Sequence, residues 1–268
     1  MLLAVKIDDA DLLRCALGPL GRSTGLAGAQ VAAVGSGVFQ GNDVLLSRRP
    51  GSLGPVDVLS MAQGTSDGLL LATLDEPPAG RHFSEEAIPP LRHRQWLFAA
   101  SGERATATPG LGRAFEALPD WLRRLGAAGD LAELAFLHFL GELHRAGGLQ
   151  GPAADPAAAA EALRSAARAI STLPGGADLG LVALGGRSLV ALRRERPLAQ
   201  RLIRGLDGCE DCGLPAGAPE SSPIGRAHRR LRGIAVTDAP LDGGGWVALP
   251  EQTIFSVDRS LEPRLEPL

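Results

Sequence analysis

Short apolar runs recur toward both ends of the chain. Such runs predict buried strands, because strands covered on both faces are short and almost continuously apolar. Two of the runs flank Gly185-Gly186 and are typical of a hairpin. The predicted strands cover residues 2–7, 28–34, 43–48, 68–74, 95–100, 181–184, 188–192, 233–236 and 246–257.

The middle of the chain has apolar residues at helical spacing instead. Residues 115–125 and 131–143 follow this pattern, and Gly147-Gly148 ends the second segment. Asp155-Pro156 then opens an alanine-rich helix, with proline at the favoured first position.

One more helix is predicted near the start, over residues 11–17. Asp8 or Asp9 would cap it, and Gly18-Pro19 would end it. The chain therefore runs from strands to helices and back to strands, without regular alternation. This order favours an α+β fold with mainly antiparallel sheets over a doubly wound parallel sheet.

Residues 205–230 are rich in glycine, proline and charge, and we expect them to form a long surface loop insertion. Residues 1–268 are expected to form a single domain around it, because a chain of 268 residues is long enough to bury a substantial core.

Composition narrows the possible partners. The net charge is −3, which gives no electrostatic reason to expect nucleic acid or an anionic membrane. No apolar run approaches the roughly 20 residues that a membrane helix needs. The first seven residues are typical of a strand and not of a signal peptide, so we expect a cytoplasmic location.

Residues 89–102 read Pro-Pro-Leu-Arg-His-Arg-Gln-Trp-Leu-Phe-Ala-Ala-Ser-Gly. This segment resembles His-Pro-Phe-Arg-His-Gly-Arg-Trp-Leu-Phe-Ala-His-Asn-Gly of stand-alone class II glutamine amidotransferases. Weaker similarities occur in the same order at residues 1–5, 27–32, 129–132, 186–193 and 236–246, so the resemblance spans almost the whole chain. It implies the four-layer αββα sandwich of N-terminal-nucleophile hydrolases.

The resemblance also implies a chemistry. In this family an N-terminal cysteine thiolate attacks the glutamine amide, and its own α-amino group acts as the base. An asparagine side chain and a glycine N–H hold the oxyanion. An arginine binds the substrate carboxylate, and an aspartate binds its α-amino group.

This sequence departs from that set at most positions. Met1 and Leu2 occupy the nucleophile position, Ser101 replaces the asparagine, and the arginine position falls near Leu74. Gly102 and Asp130 remain. The resemblance thus implies no catalytic residue but a degenerate oxyanion and ligand site at Ser101, Gly102 and Asp130, although Asp130 could be only a helix cap and Ser101-Gly102 only a tight turn.

We therefore expect a catalytically impaired amidotransferase-like protein that binds a small amino-acid-like ligand or a protein partner. One alternative is an active amidotransferase or amidohydrolase that releases ammonia from glutamine or a γ-glutamyl compound, with a different N-terminus. A second is a structural subunit of a complex. No cofactor is expected.

The chain has three cysteines, Cys15, Cys209 and Cys212. The last two form a Cys-x-x-Cys pair, which suggests zinc when a second such pair is present. No second pair exists, and the sequence positions of Cys15 and His228 give no support for a four-ligand site. We therefore expect no metal and an inert turn at Cys209 and Cys212, with a metal site and a labile disulfide as alternatives.

Overall fold

A computed structural model describes residues 1–41, 43–50, 54–62, 64–76, 85–102, 108–126, 129–149, 155–218, 222–239, 241 and 244–268. The strands are β1 (Leu2–Ile7), β2 (Ala33–Gln40), β3 (Asp43–Pro50), β4 (Gly68–Leu74), β5 (Leu91–His93), β6 (Trp96–Ser101), β7 (Gly180–Gly185), β8 (Leu189–Arg193), β9 (Ala199–Arg204), β10 (Arg232–Thr237), β11 (Val247–Ala248), β12 (Thr253–Val257) and β13 (Arg264–Pro267). The helices are α1 (Leu13–Ser23), α2 (Leu111–Glu116), α3 (Asp120–Arg123), α4 (Leu131–Arg145), α5 (Pro156–Ser171) and α6 (Pro223–Arg230).

These strands form two sheets, and every pairing between described strands is antiparallel. A seven-stranded sheet has the order β11-β9-β10-β1-β4-β2-β3, and a six-stranded sheet has the order β13-β12-β8-β7-β6-β5. The expected α+β class with antiparallel sheets is confirmed.

Three apolar clusters hold the layers together. α1 packs on the outer face of the seven-stranded sheet, against alternate residues such as Leu3 and Val5. Leu2, Ala4 and their neighbours point the other way, into the space between the sheets. α4 and α5 cover the outer face of the six-stranded sheet. The layers are therefore helix, sheet, sheet and helix, which confirms the αββα sandwich.

Within the described residues, no helix is long and apolar enough to span a membrane.

A lysine near the end of β1 links the two sheets at one end of the sandwich. Lys6 Nζ donates to the backbone oxygen of Gly186, directly after β7, at 3.2 Å, and to Asp67 Oδ2 at 3.1 Å. Because this contact joins the ends of β1 and β7, the starts of both strands lie at the opposite end. Ser101, which pairs with Gly180 at the start of β7, lies there too.

Two glycines of β2 also fix how the two sheets lie on each other. A Cβ atom at Gly37 would lie 2.4 Å from the Leu97 side chain, and one at Gly35 would lie 2.1 Å from the carbonyl oxygen of Pro89. β2 therefore packs directly on the six-stranded sheet at these positions, and only glycine allows the approach. Gly35 lies opposite Ala72 on β4, as Leu2 does, so this contact belongs to the end where β1 begins.

The structure corrects the expected end of the first helix. α1 continues through Gly18 and Pro19 to Ser23, although proline lacks the N–H that would bond the carbonyl oxygen of Cys15. Leu17 and Leu20, on either side of this break, are fully buried against the sheet. Packing of this apolar face therefore outweighs the lost hydrogen bond.

Other boundaries also differ from the prediction. β2 begins at Ala33, later than the predicted strand over 28–34, and the single helix predicted over 115–125 divides at Pro119 into α2 and α3. Part of the expected surface loop over 205–230 is helical, because Ser222 caps α6 and Pro223 takes its first position.

A histidine on α4 should make stability depend on pH. Burial lowers the pKa of His138, so the folded state favours the neutral ring. The unfolded chain takes up this proton near pH ~6.5, so stability should fall as the pH drops through that value and level off below the folded pKa. Thermal unfolding between pH 7.5 and pH 5 should show a smaller loss for His138→Gln than for the wild type, and equal slopes would contradict the prediction.

Candidate functional site

The start of β1 is held by hydrogen bonds from both flanking segments. The α-amino group of Met1 donates to Thr73 Oγ1 at 2.9 Å, and the N–H of Thr73 donates to the Met1 carbonyl oxygen at 2.8 Å. The N–H of Leu2 donates to Asp238 Oδ1 at 2.6 Å, and Thr237 Oγ1 donates to the Leu2 carbonyl oxygen at 2.7 Å. The Leu2 side chain, buried between the sheets, brings an aliphatic group to this end of the sandwich.

Ser101 ends β6 at the same end of the sandwich. It follows Leu97 and Ala99 on the strand face that points between the sheets, and it is only 4% exposed. Its hydroxyl has no hydrogen-bond partner among the described residues. A Cβ atom at Gly180 would lie 2.7 Å from this hydroxyl, so the glycine leaves room for it. A buried hydroxyl without a partner costs about 1–3 kcal/mol.

The neighbouring backbone adds one possible donor. Gly102 has φ 111°, outside the range that side chains other than glycine readily adopt. An N–H group beside a hydroxyl resembles the donor pair of an oxyanion hole in composition, although a serine side chain is shorter than asparagine.

The positions of Leu74 and Asp130 differ in what they can offer a ligand. Leu74, at the end of β4, packs with Ala33 and Ile88 in a small apolar cluster and is 8% exposed. An aliphatic side chain there cannot pair with a carboxylate. Asp130 is buried and is the N-cap of α4, where its carboxylate accepts from the Glu133 N–H at 2.8 Å. The capping role is therefore present, and a ligand-binding role for Asp130 stays a prediction.

The Cys-x-x-Cys pair lies on the outer face of the seven-stranded sheet, on the α1 side. The ligand atoms of Cys15, Cys209, Cys212 and His228 all lie within 4.8 Å of one another. Burial raises the pKa of Cys15 and of Cys212. At Cys209 burial acts in the same direction, but the hydrogen bonds around the sulfur, of which that from the Cys212 N–H is the largest, together outweigh it and lower the pKa.

Sequence reasoning named Cys15 and His228 but gave no reason to place them beside the pair. Cys15 and Cys212 are 197 residues apart in the chain. No spacing rule connects residues at this distance, so the sequence carried no local signal for the cluster. The signal that existed was the Cys-x-x-Cys pair itself.

The sandwich is similar to several solved structures. One is a glutamine aminotransferase class-II domain protein from Silicibacter pomeroyi, with a TM-score of 0.57, 14% identity, and coverage of 100% of this chain and 99% of that chain. Another is a protein of Pseudomonas aeruginosa described as a predicted glutamine amidotransferase, with a TM-score of 0.55, 15% identity, and coverage of 96% and 97%.

Glutamine phosphoribosylpyrophosphate amidotransferase from B. subtilis also has this fold, with a TM-score of 0.50 and 10% identity. The match covers 99% of this chain and 48% of that one. No protein-family model matches the sequence, and no curated protein matches it. The chain therefore has the fold of class II glutamine amidotransferase domains, the N-terminal-nucleophile hydrolase sandwich.

Proposed function

We propose that this chain is a class II glutamine amidotransferase-like protein that does not hydrolyse glutamine efficiently and acts by binding. Its ligand would be a small amino-acid-like molecule or a protein partner. The proposal rests on the fold and on the residues at the end of the sandwich where β1 begins.

The observation that carries the proposal is the pair of substitutions at Leu74 and Ser101. Both side chains are buried in the fold. Leu74 lies among apolar neighbours at the position where the resemblance implies the carboxylate-binding arginine. Ser101 has only a short hydroxyl where the resemblance implies the oxyanion asparagine. Loss of one oxyanion donor typically reduces the rate about 100- to 1000-fold. Neither position depends on where the chain begins.

The donor groups left at this site, the Ser101 hydroxyl and the Gly102 N–H, are suited to binding more than to catalysis. The Ser101 hydroxyl and the Gly102 N–H are both donors, and the hydroxyl lacks a hydrogen-bond partner among the described residues. A ligand with a carbonyl or carboxylate oxygen would satisfy the hydroxyl. Functional sites commonly retain such unfavourable polar groups at the expense of stability.

An assay of ammonia release from glutamine tests the proposal. We expect purified protein to release no more ammonia than the same sample after heat denaturation. Ammonia release that disappears in Ser101→Ala, but persists in Ser256→Ala, would contradict the proposal. Ser256 on β12 is equally buried, at 4% exposure, and is a matched control for the loss of a buried hydroxyl.

The stability of Ser101→Ala tells whether the Ser101 hydroxyl is held open for a ligand or is satisfied within the folded protein. In ligand-free protein, Ser101→Ala should leave the free energy of unfolding unchanged or raise it by about 1 kcal/mol, because the hydroxyl has no hydrogen-bond partner among the residues that the structure describes. Denaturant unfolding measures this. A clear loss of stability would mean that the hydroxyl is satisfied in the free protein and is not held open for a ligand.

The alternative of an active enzyme makes a different prediction at the N-terminus. Mass spectrometry of the natively expressed protein would show an exposed N-terminal cysteine if that alternative were correct. A Met1 or Leu2 terminus together with no ammonia release would support the impaired form.

A further inference from the structure

Three separate parts of the chain bring four potential metal ligands together. Cys15 comes from α1, Cys209 and Cys212 come from the turn after β9, and His228 comes from α6. Their ligand atoms lie within 4.8 Å of one another. Cys15, Cys209 and His228 are buried, and Cys212 is exposed. Three sulfurs and one imidazole form a ligand set that proteins use for zinc.

The turn has the geometry needed to direct two sulfurs to one point. Cys209 and Leu214 exchange both backbone hydrogen bonds, each at 2.8 Å, and so close a tight hairpin. Gly213 allows the closure because its φ is +64°, a left-handed conformation. The bonds that close the hairpin join backbone atoms and use neither thiol, and the ligand atoms of both cysteines lie close to those of Cys15 and His228.

The histidine provides the second, independent observation. His228 Nδ1 lies 2.9 Å from the carbonyl oxygen of Ile224, and since a carbonyl can only accept, Nδ1 must carry the hydrogen. This tautomer leaves a lone pair on Nε2. That atom is buried and has no hydrogen-bond partner among the described residues. Histidines that bind metals almost always donate their other ring N–H in this way.

The sulfur positions fit a metal ion better than a disulfide. Cys15 Sγ and Cys212 Sγ lie 3.4 Å apart, whereas a disulfide bond is about 2.05 Å long. Ligands at about 2.3 Å from a tetrahedral zinc ion lie about 3.8 Å from one another. The ligand atoms here lie between 3.4 Å, for these two sulfurs, and at most 4.8 Å apart, which brackets that spacing. They are too close together for an iron–sulfur cluster, whose bridging sulfides would spread the ligands further apart.

We propose that Cys15, Cys209, Cys212 and His228 bind one zinc ion in a closed, structural site. All four tetrahedral positions are filled by side chains, which leaves no position for water or substrate, as in structural sites and unlike catalytic ones. Binding deprotonates the three thiols and releases their protons to solvent. The zinc–thiolate unit then carries one negative charge.

Two arginines of α1 form ion pairs with the Cys209–Cys212 turn. Arg14 pairs with Asp211 at 3.0 Å, and Arg22 pairs with Glu210 at 3.3 Å, and both acids lie between the two cysteines of the turn. A surface cavity of about 480 Å³ between α1 and the turn reaches Cys15 and Cys209 and gives the ion a route of entry. The zinc ion therefore joins the 205–218 segment to α1 and α6.

The wild-type protein tests the inference without any substitution. Protein purified under reducing conditions with zinc in the medium should contain about one zinc ion per chain by elemental analysis. Exchange for Co²⁺ should give the visible bands of a tetrahedral thiolate complex. Removing the metal with a chelator should lower the midpoint of thermal unfolding by more than about 5 °C.

Variants separate ligation from general damage. Cys212→Ser and His228→Ala should both lose zinc and the Co²⁺ bands. Asp211→Asn, which removes the ion pair with Arg14 but no ligand, should keep both. Folded wild-type protein that holds less than about a fifth of a zinc ion per chain, or that contains a Cys15–Cys212 disulfide by mass spectrometry, would overturn the inference. These measurements do not involve glutamine and are independent of the proposed function.

Discussion

Replacing Gly35 with alanine should strongly destabilise the folded protein. The new Cβ atom would lie 2.1 Å from the carbonyl oxygen of Pro89 and 3.2 Å from Ile88 Cγ2. The nearest obstacle is backbone, which cannot rotate away as a side chain can, so β2 and the segment before β5 would have to separate. The cost should reach or exceed the roughly 1–3 kcal/mol typical of overpacking. Soluble yield and denaturant unfolding measure it.

Gly112→Ala is the matched control for this substitution. A Cβ atom at Gly112 would contact nothing within 4 Å, and the residue lies inside α2, where alanine is favoured over glycine. It should therefore raise stability by roughly 0.5–1 kcal/mol. If Gly35→Ala instead had the stability of the wild type, the close approach of β2 to the six-stranded sheet would be wrong, and only the Lys6 contact would then place Leu2 and Ser101 at the same end.

Elements with a strong local pattern were predictable from the sequence. β1 and β4 coincide with the apolar runs over 2–7 and 68–74, because both strands are buried on both faces. α4 and α5 begin directly after Asp130 and Asp155, whose side chains accept backbone hydrogen bonds as N-caps. In these segments the local signal and the tertiary environment agree.

Elements that depend on distant parts of the chain were not predictable. β9 and β13 were not predicted, because their sequences, Ala-Gln-Arg-Leu-Ile-Arg and Arg-Leu-Glu-Pro, are partly or wholly exposed and carry little apolar signal. α1 passes through Pro19 because its apolar face is buried against the sheet. Such cases follow from packing that no local window contains.

The Ser101 site and the cysteine–histidine cluster also differ in how far the sequence predicted them. Ser101, Gly102 and Leu74 were identified by resemblance, which carries information about distant residues that spacing alone does not. The cluster of Cys15 and His228 with the Cys-x-x-Cys pair has no such precedent in the resemblance. It arises from the way α1, the turn after β9 and α6 pack together on the same sheet.

Phe98→Ala should cause the largest loss of stability among substitutions that leave the backbone free of clashes. Phe98 is fully buried on β6, and its ring contacts Phe136 and Phe139 of α4, with centroids 5.3 Å and 5.9 Å apart. Truncating a buried phenylalanine costs about 3–5 kcal/mol, because the cavity closes only in part. The midpoint of thermal unfolding should fall by roughly 6–20 °C.

This substitution also tests how the candidate ligand site is supported. Phe98 lies on the strand that ends at Ser101 and packs on the helix that Asp130 caps, so its ring links the two elements that carry these residues. Leu45→Ala is the control, because that side chain is 45% exposed on β3 and its loss should cost less than about 1 kcal/mol. Equal losses for the two variants would mean that β6 and α4 are not packed as described.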